Sequence, residues 1–200
     1  MRKRETDRGK KLPAAQQKSG APLADVLARR RSLREFTDQP LTDAQLSQLL
    51  WATQGLSHSE GYRTAPSAGG LYPLELYVAM ADGLYRYLPE DHRLSVQLAE
   101  DIRPALRQAA LDQEPVGTAP AVFILTGVYQ RTAGKYGQTR AVRYVHMEAG
   151  HAGQNLLLQA TALNLGAVPI GAFEDRRLSK ILRLPRDEVP LYLIPVGHPR

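Results

Sequence analysis

Three short stretches of this 200-residue sequence carry the side chains best suited to chemistry. The segment from Arg30 to Arg34 holds forked guanidinium donors and the hydroxyl of Ser32, a combination that can bind a phosphate group. The loop from Pro66 to Gly70 has only small side chains and one rigid proline, so its backbone stays open to a flat ligand. A third stretch places the amine of Lys135 beside the phenol of Tyr136.

Each stretch also has an ordinary structural interpretation. The basic segment could be a solvated charge run, and the small-residue loop could simply lead into the apolar strand that follows it. Lys135 could be an exposed lysine beside a packing tyrosine. Taken one at a time, the residues leave both interpretations open.

The elements around these stretches predict a single α+β domain. Apolar and alternating runs predict strands at residues 74–80, 83–87, 94–98, 121–126, 167–173 and 191–196. Helical spacing and capping residues predict helices at 23–31, 42–53, 101–111, 143–165 and 175–182. Residues 131–140 are predicted to be a polar loop that carries Lys135 and Tyr136.

The longest predicted helix has an unusual polar face. Four side chains at spacings of 4, 3 and 4 residues form one line on it: Tyr144, Glu148, His151 and Asn155. Two interior glycines, Gly150 and Gly153, each cost a helix roughly 1 kcal/mol, which suggests close approach of another helix or a ligand. We expect the polar line to be hydrogen-bonded inside the fold or at a dimer interface. Glu148 and His151 match half of a di-iron motif, but the sequence lacks the second half, so we expect no metal.

Composition narrows the possible functions. The chain has no cysteine, which excludes disulfides, thiol catalysis and thiolate metal sites. It shows no apolar run of about 18 residues and no apolar signal segment near Met1, so we expect a cytoplasmic protein without a membrane partner. The net charge is +6, and six basic residues lie among the first eleven: Arg2, Lys3, Arg4, Arg8, Lys10 and Lys11. We interpret residues 1–22 as a solvated basic arm and 23–200 as the domain. We expect no nucleic-acid partner, because the arm has no recognition motif.

Read in order, five segments resemble the nitroreductase superfamily of FMN enzymes, over about residues 23–199. The segments are Arg30 to Phe36, Pro66 to Pro73, Lys135 to Gly137, Glu148 to Asn155 and Val168 to Phe173. Within the superfamily the chain looks like the SagB-type dehydrogenases, which oxidise azoline rings in peptides. The resemblance implies a mixed sheet flanked by helices, working as a homodimer with FMN at the subunit interface.

The resemblance also implies roles for individual residues. Arg30, Ser32 and Arg34 match the contacts to the FMN phosphate and ribityl chain. Five residues, commonly from the other subunit, match the loop along the flavin: Pro66, Ser67, Ala68, Gly69 and Gly70. Three residues match the segment whose backbone N–H faces flavin N5: Pro169, Ile170 and Gly171. Many relatives have an acidic residue where Gly171 stands, and many continue past the last strand with basic residues, a place that Arg200 could take.

Three functions follow from the resemblance. The first is a SagB-type dehydrogenase in which hydride passes through flavin N5 and Lys135 and Tyr136 are catalytic. The second is an NAD(P)H-dependent reductase of nitro compounds or quinones. The third is a flavin-binding or scaffold protein with little turnover. The substrate would be a small molecule or a peptide azoline.

Overall fold

A central sheet organises the computed structural model, which describes residues 9–18 and 20–200. Its seven strands are β1 (Gly9–Lys11), β2 (Leu74–Met80), β3 (Gly83–Leu88), β4 (Arg93–Leu98), β5 (Ala121–Gly127), β6 (Gly166–Ala167) and β7 (Val189–Gly197). They lie in the order β1-β4-β3-β2-β5-β7-β6, and neighbouring strands pair antiparallel. Within the described residues, parallel pairing occurs only at the isolated bridge between Ser32 and Ala167.

The described residues form seven α-helices around this sheet. They are α1 (Leu23–Arg29), α2 (Asp43–Gln54), α3 (Arg103–Ala109), α4 (Glu114–Thr118), α5 (Tyr129–Tyr136), α6 (Gln138–Ala162) and α7 (Asp175–Ile181). The predicted single-domain α+β fold is confirmed. No helix in the described part of the chain is long and apolar enough to cross a membrane.

The two faces of the sheet build two apolar cores. Leu76 and Val78 of β2 belong to the core beneath α2 and α6, whereas Tyr77 and Ala79 belong to the core beneath α3, α4 and α7. Successive side chains of a strand point to opposite faces, so a strand covered on both sides must be apolar throughout. This explains the continuous apolar run of β5, in which every residue is buried.

Two sequence predictions near the site are wrong. Residues 131–140 are not a loop: α5 occupies Tyr129–Tyr136, and α6 starts at Gln138 after Gly137, which has a φ of 75°. The predicted strand at 167–173 shrinks to β6, because Pro169 has no N–H to give to a ladder and Ile170 makes a single bridge with Leu193. Both corrections change where the candidate site residues stand.

The described part of the basic arm packs against the domain. β1 pairs with β4 at the edge of the sheet, and Leu12 is buried in the core beneath α2. Ser47 donates a 2.6 Å hydrogen bond to the Pro13 carbonyl, and Gln48 exchanges two hydrogen bonds with the backbone of Gln16. The other predicted basic residues of the arm, Arg2, Lys3, Arg4 and Arg8, lie outside the described residues.

Candidate active site

The basic segment lies beside β6 at the edge of the sheet. α1 ends at Arg29, after which Ser32 forms its parallel bridge with Ala167, and the Leu33 amide donates to the Ala167 carbonyl over 3.1 Å. Because β6 continues directly into residues 169–171, this pairing brings the predicted phosphate segment next to the predicted N5 segment.

The four arginines from Arg29 to Arg34 differ in their hydrogen bonds: two side chains are bonded within the chain, and two are available to a ligand. Arg29 donates to the Asn164 side chain at 3.2 Å, and Arg31 folds back onto two backbone carbonyls at 3.0 and 2.8 Å. Neither Arg30 nor Arg34 makes a hydrogen bond or ion pair through its side chain with any described residue. Arg30 is half-buried and Arg34 exposed. The two available guanidiniums belong to the two arginines for which the resemblance implied contacts to the FMN phosphate and ribityl chain.

Only one residue of the N5 segment has a backbone N–H free for a ligand. Pro169 has no N–H, and the Ile170 N–H donates to the Leu193 carbonyl at 2.8 Å. The Gly171 N–H has no acceptor among the described residues, and Gly171 is exposed. If this segment donates a hydrogen bond to a flavin, the donor is Gly171.

An open cleft of about 900 Å³ starts at Gly171. One wall carries Tyr129 of α5 and His146 of α6, whose side chains are joined by a 2.6 Å hydrogen bond between the hydroxyl and Nε2. Burial, with the nearby Asp175 carboxylate, raises the pKa of Tyr129, so the phenol keeps its proton and we assign it as the donor. Sequence reasoning missed this pair, because no motif marks either residue before α5 is recognised.

The small-residue loop stands at a different place. Ala68–Gly70 forms a single 3₁₀ turn, in which Gly69 and Gly70 have φ values of 67° and 66°. Residues that carry a side chain rarely adopt this left-handed backbone conformation, so the shape of the loop requires the two glycines. A carbon atom added at the Cβ position of Gly69 would also collide with its neighbours.

Those neighbours are Lys135 and Tyr136. The added carbon on Gly69 would lie 2.8 Å from the Tyr136 hydroxyl and 3.0 Å from Lys135 Nζ. The Tyr136 ring packs edge-on against Tyr144 of α6, with 5.1 Å between the ring centroids. The structure thus brings the predicted catalytic pair and the predicted flavin loop together, and does so from the end of a helix rather than from a loop.

Two residues of the polar line of α6 form hydrogen bonds with this loop and with the residues just before it. Ser67 donates a 2.5 Å hydrogen bond to the Glu148 carboxylate, and the Asn155 amide donates to the Thr64 carbonyl at 3.2 Å. Glu148 is only 2% exposed, whereas His151 is exposed to solvent. Burial raises the pKa of Glu148 to about 7, against the opposing effects of Ser67 and Arg63. The sequence predicted a hydrogen-bonded polar line but did not place Glu148 in the site.

The site therefore consists of two parts. The first is the basic segment with Gly171 and the cleft, and the second is the loop with Lys135, Tyr136 and Glu148. The helix pair α5 and α6 contributes side chains to both parts. No hydrogen bond, ion pair or ring contact between the basic segment and the loop is found among residues 9–18 and 20–200.

Comparison with known proteins identifies the family. The nitroreductase family profile matches residues 27–198. A Methanocaldococcus jannaschii protein named as a nitroreductase is 46% identical over 181 residues, covering 88% of this chain and 90% of that protein. The chain belongs to the nitroreductase family. A Ralstonia eutropha structure described as a nitroreductase matches with a TM-score of 0.88 and 34% identity, covering 97% of this chain and 90% of that one.

A more distant relative of this nitroreductase-family chain is the trifolitoxin-processing protein TfxB of Rhizobium leguminosarum bv. trifolii. It is 30% identical over 116 residues, which cover 52% of this chain and 30% of TfxB. The family match supports an oxidoreductase.

The last residue of this family member, Arg200, stands apart from the basic segment. Its backbone N–H donates to the Glu35 carbonyl at 3.3 Å, but its side chain lines a second cavity of about 690 Å³ with Lys10 and Asp38. No hydrogen bond joins Arg200 to Arg30 or Arg34 in the described part of the chain. Arg200 thus lines a different cavity from the cleft beside Gly171.

Proposed function

We propose that this protein is an FMN-dependent oxidoreductase. The observation that carries the proposal is the bridge between Ser32 and Ala167. It pairs the segment that carries two available guanidiniums and a hydroxyl with β6, which leads within four residues to Gly171 and its N–H without an acceptor among the described residues. This donor set suits FMN, because a phosphate monoester prefers forked cationic donors and an isoalloxazine ring accepts backbone hydrogen bonds. When bound, the flavin supplies hydride transfer at N5.

The chain's own residues then have distinct tasks. Arg30, Ser32 and Arg34 hold the phosphate and ribityl chain, and the Gly171 N–H orients the ring edge. The loop at 66–70 lies along the ring of the partner subunit's flavin, which brings Lys135 and Tyr136 to the substrate face. In this arrangement each active site combines the basic segment and cleft of one subunit with the loop of the other, which explains why the two parts are separate on one chain.

The direct test is to purify the protein and record its absorbance with and without added FMN. We expect a yellow protein with a flavin spectrum that survives gel filtration, and bleaching of that spectrum under anaerobic conditions by a reductant. A colourless protein that also fails to bind added FMN would contradict the proposal.

Within this class we propose a SagB-type dehydrogenase that oxidises azoline rings. Its support is the convergence of Lys135 Nζ and the Tyr136 hydroxyl on Gly69, which places a base and a phenol at the flavin loop. The partial match to a trifolitoxin-processing protein is consistent with a peptide substrate.

The second candidate is an NAD(P)H-dependent reductase of nitro compounds or quinones. The cleft beside Gly171 favours it, because Arg176 and Lys180 of α7 line the cleft and make no ion pair with the described residues. Such cations suit a phosphate-bearing reductant. Rapid bleaching of the bound flavin by NADH or NADPH, followed by turnover with a quinone, would favour the reductase. Turnover of an azoline peptide without a nicotinamide, with oxygen re-oxidising the reduced flavin, would favour the dehydrogenase.

We also propose that the protein is a homodimer in which α6 faces the partner subunit. Val142 and Met147 of α6 are 45% and 54% exposed, and Leu23 and Leu27 of α1 are 64% and 51% exposed. Exposed apolar side chains on two helices that contact each other, as α1 and α6 do, are typical of subunit contacts. Gly150 lies on this exposed face, and apart from its chain neighbours and the backbone of its own helix no described atom lies within 4 Å of a Cβ built on it.

The Gly150→Ala variant tests whether this face of α6 packs against a partner subunit or is exposed to solvent. On a solvated face, alanine should stabilise the helix by about 1 kcal/mol. Against a closely packed partner helix, the added methyl should instead weaken association by about 1–3 kcal/mol. We expect the second result, measured as a higher dimer dissociation constant in analytical ultracentrifugation. The matched control is Gly134→Ala in α5, which is also exposed, helical and free of neighbours.

We expect Gly134→Ala to raise thermal stability slightly and to leave association unchanged. If Gly150→Ala behaves in the same way, α6 does not form the dimer contact.

A further inference from the structure

Glu148 is a buried carboxyl group with an incomplete set of hydrogen bonds. Its Oε2 accepts the bond from Ser67, but its Oε1 is buried without a partner among the described residues. A carboxylate oxygen buried in this way costs free energy, so its retention calls for a physical explanation. The explanation lies in what Ser67 does for the loop.

Ser67 connects α6 to both ends of the loop. Its hydroxyl donates to Glu148 while accepting the Tyr72 N–H at 2.9 Å, and its carbonyl accepts the Gly70 N–H at 3.1 Å. The Tyr72 hydroxyl in turn accepts the Arg63 N–H at 3.1 Å. The Ser67 hydroxyl can make both bonds at once, because its O–H donates to Glu148 and its oxygen lone pairs accept the Tyr72 N–H.

We propose that Glu148 is a positioning residue for the flavin loop, and that gain or loss of its proton changes how firmly Ser67 fixes that loop to α6. When Glu148 is ionised, the bond from Ser67 is charge-assisted and the loop is held firmly. When Glu148 is protonated, the bond is between neutral groups and is about half as strong. The proposal rests on the proposed function only in assigning the loop to a flavin.

The electrostatic surroundings set the pH range. Burial raises the pKa of Glu148 to about 7, and Arg63 is the charged group whose field opposes this effect. Other titratable side chains on α6 and on the elements packed against it include Lys135 and Tyr136 of α5, Glu75 of β2, Asp43 of α2, Tyr192 of β7, and Tyr144, His146 and His151 of α6 itself. The two histidines are also titratable, so pH dependence alone is not diagnostic and a variant without the carboxyl is required.

The test measures amide hydrogen exchange across residues 66–72 at pH 6 and pH 8, corrected for intrinsic exchange rates. Loop openings that break the Ser67 bond while Glu148 stays buried should become rarer when the carboxyl ionises, so in the parent we expect protection to rise roughly fivefold between the two pH values. Global unfolding exposes Glu148 to water and therefore has the opposite pH dependence. In Glu148→Gln, the amide still accepts from Ser67 but cannot ionise, so protection should not change with pH. Ser67→Ala should remove the pH dependence as well while leaving the carboxyl in place.

Glu188→Gln is the matched control. Glu188, which immediately precedes β7, is also buried and accepts a hydroxyl bond, from Thr126 of β5 at 2.5 Å, but it makes no hydrogen bond to residues 66–72 among the described residues. This variant should keep the parental pH dependence at residues 66–72. A parent loop whose protection does not change with pH, or a Glu148→Gln variant that keeps the change, would overturn the proposal.

Thermal unfolding gives an independent check with a definite sign. The folded-state pKa of Glu148 lies above the usual value for a glutamate, so the folded protein binds the proton more tightly than the unfolded chain does. Stability is therefore lost as pH rises toward 7, where the buried group must ionise. Glu148→Gln should melt near the parent at pH 5 and above it at pH 8.5; equal differences at both pH values would count against the assignment.

FMN titrations at the same two pH values separate this proposal from the proposed function. A pH-dependent loop in a protein that never binds FMN would overturn the flavin function and leave the positioning role intact. FMN binding by a protein whose loop protection does not change with pH would support the flavin function and overturn the positioning role of Glu148.

Discussion

Lys135→Ala and Tyr136→Phe should each lower azoline oxidation about 10²–10⁴-fold while the protein keeps its bound flavin. Oxidation of an azoline ring removes one hydrogen as hydride and another as a proton from carbon. The proton needs a base on the protein, and Lys135 Nζ and the Tyr136 hydroxyl converge on the loop proposed to lie along the flavin. Lys135 is the proposed base, and Tyr136 relays the proton or orients the ring. The measurement is the steady-state rate with an azoline peptide, alongside the flavin absorbance of each variant.

Two controls match the chemistry of these changes. Tyr144→Phe also removes one phenolic oxygen, but from a ring that contacts Tyr136 edge-on, so the packing stays and the rate should change little. Lys18→Ala removes an exposed lysine of the arm and should leave the rate unchanged. Together they separate loss of a particular proton-handling group from loss of packing or of net charge.

Quinone reduction by the same variants distinguishes the two candidate functions. A quinone takes its protons from water, so reduction should proceed at nearly the parental rate without Lys135 or Tyr136. Azoline oxidation that is equally fast in the parent and both variants would remove these two residues from the catalytic machinery.

Local signals in the sequence predicted much of the fold. The boundaries of β2 agree with the predicted strand at 74–80, and α2 begins at the predicted capping box. In that box the Thr42 N–H donates to the Gln45 side chain at 2.9 Å, and the Gln45 N–H donates back to the Thr42 hydroxyl at 3.2 Å. Both bonds join residues three positions apart, so the local sequence is sufficient to predict them.

α5 could not be predicted in the same way. It is eight residues long, carries Gly134 in its interior and buries only Thr132, so it has no apolar stripe to give a helical period. A helix this short is not stable alone and depends on packing against α6. The helix matters for the site, because it fixes Lys135 and Tyr136 against Gly69 rather than leaving them on a mobile loop.

In the candidate site, too, local sequence identified the residues, but it did not predict the contacts between residues far apart in the chain. The five segments identified the residues of each part, because each segment is contiguous. The contact between Ser67 and Glu148 joins residues 81 positions apart, and the bridge between Ser32 and Ala167 joins residues farther apart still. Which segments share a part of the site depends on tertiary packing, and this came only from the structure.

Arg34→Ala should weaken FMN binding by about 10–150-fold. An arginine that donates to a phosphate contributes roughly 1.5–3 kcal/mol through a charge-assisted bond, and each 1.4 kcal/mol is tenfold in affinity. Arg34 has no side-chain partner among the described residues, so the variant should remove a ligand contact and leave the fold intact. The dissociation constant can be measured by flavin fluorescence, and the loss should also appear as a smaller FMN-induced rise in melting temperature.

Arg31→Ala is the control that decides whether a contact or a charge is lost. Arg31 lies in the same exposed segment and carries the same charge, but its guanidinium already donates to two backbone carbonyls. Its removal should weaken FMN binding only through long-range attraction, an effect that 0.5 M salt should largely abolish. Arg34→Lys keeps the charge but not the forked donors, so it should recover part of the lost affinity. Equal losses in Arg31→Ala and Arg34→Ala, both removed by salt, would mean that the segment attracts the phosphate without binding it directly.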